Sequence, residues 1–217
     1  MSKLLLPALG LGGASVAAAG SYAFLSEKKD PVIQKEETFR SKYSQAILES
    51  TSNLWDTKFT SLKDGSKPSH PTLILAKDKS GKTETESEAK ALHKQGCQTI
   101  YESKINDTTY LSDFQTYCAK NLKDAITKTW IADANTESGK WNTKLGSLKD
   151  HNSKTNLALD DKLTTLKGQL SKVSGNSWTD EHRKSLKDWC DESQKSIFMG
   201  ENDGSFKHAQ LYCVEGQ

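Results

Sequence analysis

Residues 141–150 read WNTKLGSLKD, and residues 55–64 read WDTKFTSLKD. Seven of the ten positions are identical, Leu145 stands for Phe59, and the two stretches lie 86 residues apart. Further landmarks recur at nearly that interval. Cys97 is answered by Cys190, 93 residues on, and the ending Asp113-Phe114-Gln115-Thr116-Tyr117-Cys118 by Phe206 to Tyr212-Cys213, 95 residues on. Self-similarity at a fixed interval marks repeated structural units. The chain therefore reads as a tandem duplication. We expect an all-α protein: an N-terminal membrane segment (residues 1–30), then two related helical modules, residues 31–125 and 126–217. In each copy a Leu follows the Trp by seven residues, two helical turns along one stripe. Trp55 with Leu62, and Trp141 with Leu148, are thus expected at equivalent buried positions.

Only 34% of the 217 residues are hydrophobic, but five are Trp. That pairing points to thin helical modules whose cores rest on a few large rings. Lys+Arg 30 against Asp+Glu 28 gives a net charge of +2, with both signs interleaved along the chain. Nucleic-acid binding needs a concentrated positive field, so no nucleic-acid partner is expected.

Leu4 to Ser26 runs 23 residues without a charge, long enough for a membrane helix of roughly 20 residues. Ala17-Ala18-Ala19 before Gly20 also has the form of a signal-peptidase site. The uncharged run continues through Tyr22-Ala23-Phe24-Leu25, which favours retention of residues 4–26 as an anchor; cleavage after Ala19 would make the protein secreted. Lys3 and the amino terminus face a neutral Glu27-Lys28-Lys29-Asp30, so a single-pass protein with its C-terminal part outside is expected.

Beyond Pro31, the residues Phe39, Tyr43, Ile47, Leu54, Trp55, Phe59 and Leu62 recur at mostly helical spacing, weakest at Ser50-Thr51. Residues 66–80 read as a loop holding Leu73-Ile74-Leu75, and Thr83 with Glu86 as a capping box opening the next helix. After a turn at Asn106-Asp107-Thr108, a helix is expected through Leu111, Phe114, Cys118, Leu122 and Ala125, running toward Trp130. In the second module, Leu159, Leu163, Leu166, Leu170 and Val173 are spaced 4, 3, 4, 3. Either this stripe packs on its own module or it forms a short intermolecular coiled coil. Thr179-Asp180-Glu181 opens a further helix that Gly200 ends, and Gly204-Ser205 caps a last short one.

Three patterns bear on chemistry. Ala76 to Thr83 fits a relaxed phosphate-binding loop, with Gly81-Lys82-Thr83 between an apolar run and a helix. No later apolar strand ends in a magnesium-holding Asp, and the second copy has no matching Lys. His93 and Cys97 share a helix face, but zinc needs about four ligands and the five His are scattered. No cofactor, no metal and no catalytic residue is therefore expected, and the protein is read as not an enzyme.

The cysteines are the sharper signal. Each module has two, 21 and 23 positions apart, all beyond the uncharged segment. Four cysteines allow three pairings. Duplication favours Cys97 with Cys118 and Cys190 with Cys213, because each copy then folds with its own pair; buried free thiols are the alternative.

The Met-Ser-Lys start, the Gly/Ala-rich segment through Ala17-Ala18-Ala19-Gly20, and the endings Leu186-Lys187-Asp188-Trp189-Cys190 and Leu211-Tyr212-Cys213 resemble the large paralogous families of uncharacterised proteins in haemotropic mycoplasmas. Those families often end in Trp-Cys where this chain has Tyr-Cys. The resemblance implies a membrane-tethered protein of a wall-less bacterium, facing the host, with no assigned activity and no catalytic residues to carry over. The leading expectation is a surface protein that binds a host-cell surface protein or acts as an antigen. The alternatives are a nucleotide-binding enzyme using Gly81-Lys82-Thr83, and a structural spacer that oligomerises.

Overall fold

The structure, a computed structural model, describes residues 36–106 and 108–216. The proposed anchor, residues 4–26, and the cleavage position after Ala19 lie outside the described residues. Among those described, no helix is long and apolar enough to cross a membrane.

The described chain is all-helical. Its helices are α1 (Phe39–Lys42), α2 (Leu54–Asp64), α3 (Pro71–Lys79), α4 (Glu86–Glu102), α5 (Leu111–Asp113), α6 (Leu122–Ala125), α7 (Ser138–Lys149), α8 (Asp161–Leu170), α9 (Asp180–Lys195) and α10 (Gly204–Tyr212). Extended backbone pairs only at isolated bridges.

Side-chain caps set many of the boundaries. Thr38 and Ser41 form a reciprocal capping box at α1, Asn121 and Asp124 one at α6, and Thr179 and His182 one at α9. Each satisfies orphan amides of a first turn. Asp160 and Asp203 cap α8 and α10 in the simpler way.

Four local expectations are corrected. Residues 71–79 are a helix, opened by Pro71 at its first position, where a missing amide costs nothing. The Thr83–Glu86 box does not form: Thr83 begins a short 3₁₀ turn, and Glu86 instead pairs with Lys90. The long helix expected from Leu111 toward Trp130 is broken. It passes through α5 into a π-helical turn, Phe114–Cys118, then turns extended at Ala119 before the Asn121 box starts α6. The stretch from Phe39 to Leu62 is likewise interrupted: α1 passes into a 3₁₀ turn, Ser44–Ala46, and α2 begins only at Leu54, after a non-helical stretch that includes Ser50-Thr51.

Two hydrophobic cores result. Phe39, Trp55, Leu62, Leu73, Ile100, Phe114 and Ala119 belong to the first; Leu122, Trp141, Leu148, Leu163, Leu186 and Phe206 belong to the second. In chain order, the buried residues of the first core end at Ala119 and those of the second begin at Leu122. Leu163, Leu166 and Leu170 of the heptad-like stripe are consumed in the second core.

One pattern of closure occurs twice. In the first half Thr38 bridges Lys104 and Ile47 bridges Ala119; in the second, Asn121 bridges Ile197 and Trp130 bridges Val214. The hydrogen bonds agree. Phe39 N donates to Ser103 O at 3.1 Å and Leu122 N to Ser196 O at 3.0 Å. Lys120 N donates to Ala46 O and Glu215 N to Thr129 O, both at 2.8 Å.

Candidate binding surface

The disulfides are Cys97–Cys118, with Cα atoms 5.3 Å apart, and Cys190–Cys213, at 5.5 Å. All four cysteines are buried. Each bridge ties the longest helix of its half to the segment that ends that half, between helices already packed together. The Tyr101 hydroxyl donates to Cys118 O at 2.6 Å, and burial pushes its pKa up.

The repeated motif occupies matching places. Trp55 is 6% exposed and Trp141 is fully enclosed; Leu62 and Leu148 are fully buried. Each indole donates to a carbonyl of the preceding link, Trp55 Nε1 to Glu49 O at 2.8 Å and Trp141 Nε1 to Asp133 O at 3.0 Å. The rings therefore hold cores and links together and are not free to meet a partner.

Sequence reasoning missed the motif's lysine. Lys58 and Lys144 stand at the same position of it and are both buried. Lys58 Nζ meets Asp124 Oδ2 at 2.7 Å across the junction of the two halves. Lys144 Nζ donates to Leu211 O at 3.0 Å and has no carboxylate within salt-bridge distance among the described residues. Burial, aided by nearby Lys128, lowers its pKa. The identity of this position in both copies was the available signal.

The remaining sequence candidates resolve as follows. Leu73-Ile74-Leu75 is helical, and Ala76 to Lys79 complete the same helix, so no strand precedes Gly81-Lys82-Thr83. A phosphate-cradling loop needs free amides, and those of α3 are spent within the helix. Lys77 instead points its Nζ at Leu62 O, Lys63 O and Gly65 O, at 2.7, 2.8 and 2.8 Å, capping the end of α2. Lys167 does the same for α7, donating to Lys149 O and His151 O. Cys97 is committed to its disulfide, and His93 Nε2 donates to Tyr117 O at 2.8 Å, so this pair cannot seed a metal site. Burial lowers the His93 pKa.

An open groove of about 850 Å³ lies on the second half, beside α10. Its walls include Thr127, Lys154, Lys207 and Gln210, with Leu157 and Leu211 as apolar floor. Glu201 is its one acidic lining residue. Leu157 is among the few exposed large hydrophobic residues. Its backbone is clasped from below. His151 Nε2 and His208 Nε2 both lie on Leu157 O, at 3.1 and 3.2 Å. A carbonyl only accepts, so both Nε2 atoms carry hydrogen, and His151 Nδ1 accepts from the Tyr212 hydroxyl at 2.6 Å. Burial first, then His208 and Lys167, push the His151 pKa down, while burial pushes that of Tyr212 up to about 12. The network holds one wall of the groove, with His151 as neutral imidazole.

No protein-family model, no curated protein and no solved structure matches the chain.

Proposed function

We propose that the chain is a non-enzymatic, membrane-anchored surface protein built from two tandemly duplicated helical modules, displayed toward a host cell for binding or as an antigen. The observation that supports it most is the twofold recurrence of one closure. The same bridges, the same buried Trp and the same disulfide position appear in each half. A disulfide in each half suits an oxidising exterior. The open groove on the second half, with Leu157 exposed beside it, supports the reading as a surface available for recognition. The anchor is the uncharged segment of residues 4–26.

The test is saturable binding of labelled residues 36–217 to intact host erythrocytes. We expect binding that unlabelled chain competes away and that reduction with unfolding abolishes. Unsaturable binding, or equal binding by the unfolded chain, overturns the reading. Protease shaving of intact bacterial cells gives the topology: loss of residues 36–217 is expected, and full protection contradicts an outward orientation.

A further inference from the structure

Between α7 and α8 the chain runs over the surface as residues 152–158, every one of them exposed. Its local hydrogen bonds all return to Asn152. Lys154 N donates to Asn152 Oδ1, and Thr155 N, Thr155 Oγ1 and Asn156 N donate to Asn152 O. Among the described residues, hydrogen bonds from outside the stretch reach it at a single atom, Leu157 O. Two buried rings meet there, His151 Nε2 from the end of α7 and His208 Nε2 from α10. A surface stretch with no buried residue, fixed at one acceptor, opens locally at a lower cost than the cores. We propose that residues 152–158 form an acid-released strap, latched at neutral pH where His151 and His208 converge on Leu157 O and unlatched when His151 takes up a proton.

The latched geometry has no place for that proton. It can enter His151 only at Nδ1, which accepts from the Tyr212 hydroxyl. The hydroxyl would have to turn and accept instead, leaving its own hydrogen unpaired. Among the described residues His151 is its one hydrogen-bond partner, and Tyr212 is 2% exposed. The new charge would also lie 5.7 Å, centroid to centroid, from the His208 ring. The surrounding cations add to the repulsion. From α8, Lys167 brings its ammonium onto His151 O. From α10, Lys207 shares the groove wall with His208, and from the strap Lys154 lines the same groove. The acids nearby are exposed or committed elsewhere. Asp150 and Glu201 are exposed, the latter on the groove. Asp160 spends Oδ1 on Leu163 N and Oδ2 on Trp189 Nε1, and Asp203 Oδ1 takes Ser205 N and Phe206 N. Among the described residues neither ring is ion-paired. Burial, with His208 and Lys167, therefore lowers the His151 pKa against the single opposing pull of Leu157 O.

Lifting the strap relieves this. Its residues line the groove beside α10 and also a second concavity of about 400 Å³, which His151 lines with Thr164 and Lys167. With the strap away His151 meets water, and the groove loses the wall made by residues 154–157. The groove is then a neutral-pH structure. In the lifted state His151 regains the ordinary value of about 6.5. Below that pH the lifted state takes up the proton first. Its population relative to the latched state rises about tenfold per pH unit, until the lowered latched value is reached.

The test follows the isotope-labelled full-length chain by NMR from about pH 7.5 to about pH 5, on either side of the ordinary histidine value. The expected result is a loss of backbone order confined to residues 152–158, with a midpoint that coincides with the His151 ring titration. Residues 36–119 should keep their order throughout. His151→Gln retains a side-chain N–H donor and cannot be charged, so the order of its strap should be the same at both ends of the range. Unchanged order in residues 152–158 while His151 titrates overturns the proposal. So does a loss that keeps its pH dependence in His151→Gln, or one that spreads evenly over both halves. The readout needs no host cell, so it stands apart from the erythrocyte test.

Discussion

Trp141 shows how far a single residue can be read. The motif placed it on a buried stripe, and the structure encloses it fully and gives its indole an acceptor in Asp133 O. Trp141→Ala should cost about 3–5 kcal/mol, the range for emptying a buried aromatic site. Trp55→Ala should cost nearly as much, since Trp55 is 6% exposed and similarly bonded. Urea denaturation at fixed pH measures both, and losses below about 1 kcal/mol would mean the rings are not core. The lysine three residues along was illegible, because a buried ammonium is intelligible only with its partner in view, and Asp124 lies 66 residues from Lys58. The histidines were equally opaque: their scatter in sequence hides that His151 and His208 share one carbonyl. The pH dependence follows from them. His70, His93 and His151 all have pKa values lowered chiefly by burial. Above the unfolded value of about 6.5, neither state binds the proton and stability is at its full value. As pH falls below that, the unfolded chain takes up protons first, and stability drops until the lowered folded values are reached. The melting temperature should therefore be level from pH 8 to about 6.5 and fall below it, and His151→Asn should flatten part of that fall. A melting temperature that rises on acidification would contradict the neutral clasp.

At the level of elements, helices with clear stripes and caps were legible, and two kinds of feature were not. The first is α3, whose Leu73-Ile74-Leu75 run has no amphipathic period; the helical signal lay in Pro71 at its first turn. The second is the break after Cys118. Apolar spacing runs on through Leu111, Phe114, Cys118 and Leu122, but Asn121 with Asp124 restarts the chain as a new helix. A local cap outweighed a periodic stripe that spans two cores. Gly96 marks a difference between the halves that the repeat conceals. A Cβ there would lie 2.7 Å from Leu73 Cδ2, 3.1 Å from its Cγ and 3.4 Å from its backbone N, so α3 and α4 approach almost backbone to side chain. Ninety-three residues on stands Trp189, whose indole donates to Asp160 Oδ2 at 2.7 Å and holds α8 off α9. Gly96→Ala gains about 1 kcal/mol of helix propensity. Overpacking costs about 1–3 kcal/mol, and Leu73 is fully buried with no room to retreat. The expected result is a net loss of about 1 kcal/mol by urea denaturation; a stabilised variant would mean α3 can slide.

Across the described molecule, stability is divided between two cores that meet where Lys58 pairs with Asp124 and Ile197 packs against the first core. Each core is closed by its own disulfide, over 21 and 23 positions. A loop of that size stabilises by roughly 3 kcal/mol in the chain-entropy model, so Cys97→Ala with Cys118→Ala should lower stability by about that much. Hydrogen exchange should rise mainly within residues 36–119. What joins the cores is the Lys58–Asp124 pair, its side chains 3% and 10% exposed, with Ile197 beside it. Replacing a buried pair by apolar groups is often close to neutral, but removing one partner strands a charge and costs about 3–5 kcal/mol. Asp124→Asn does the latter at the one place where, among the described residues, the halves share an ion pair. Its amide can still serve the α6 cap while leaving Lys58 uncompensated. The loss therefore falls on the coupling between the cores more than on either core. The parent should unfold in a single transition, and Asp124→Asn in two, the first-half transition reported by Trp55 and the second by Trp141. Lys58→Met with Asp124→Leu should bring the transitions back together, because no stranded charge remains. A single transition in Asp124→Asn, shifted by less than about 1 kcal/mol, would mean that Ile197 and the backbone contacts at Ala119 hold the halves together without help from the ion pair.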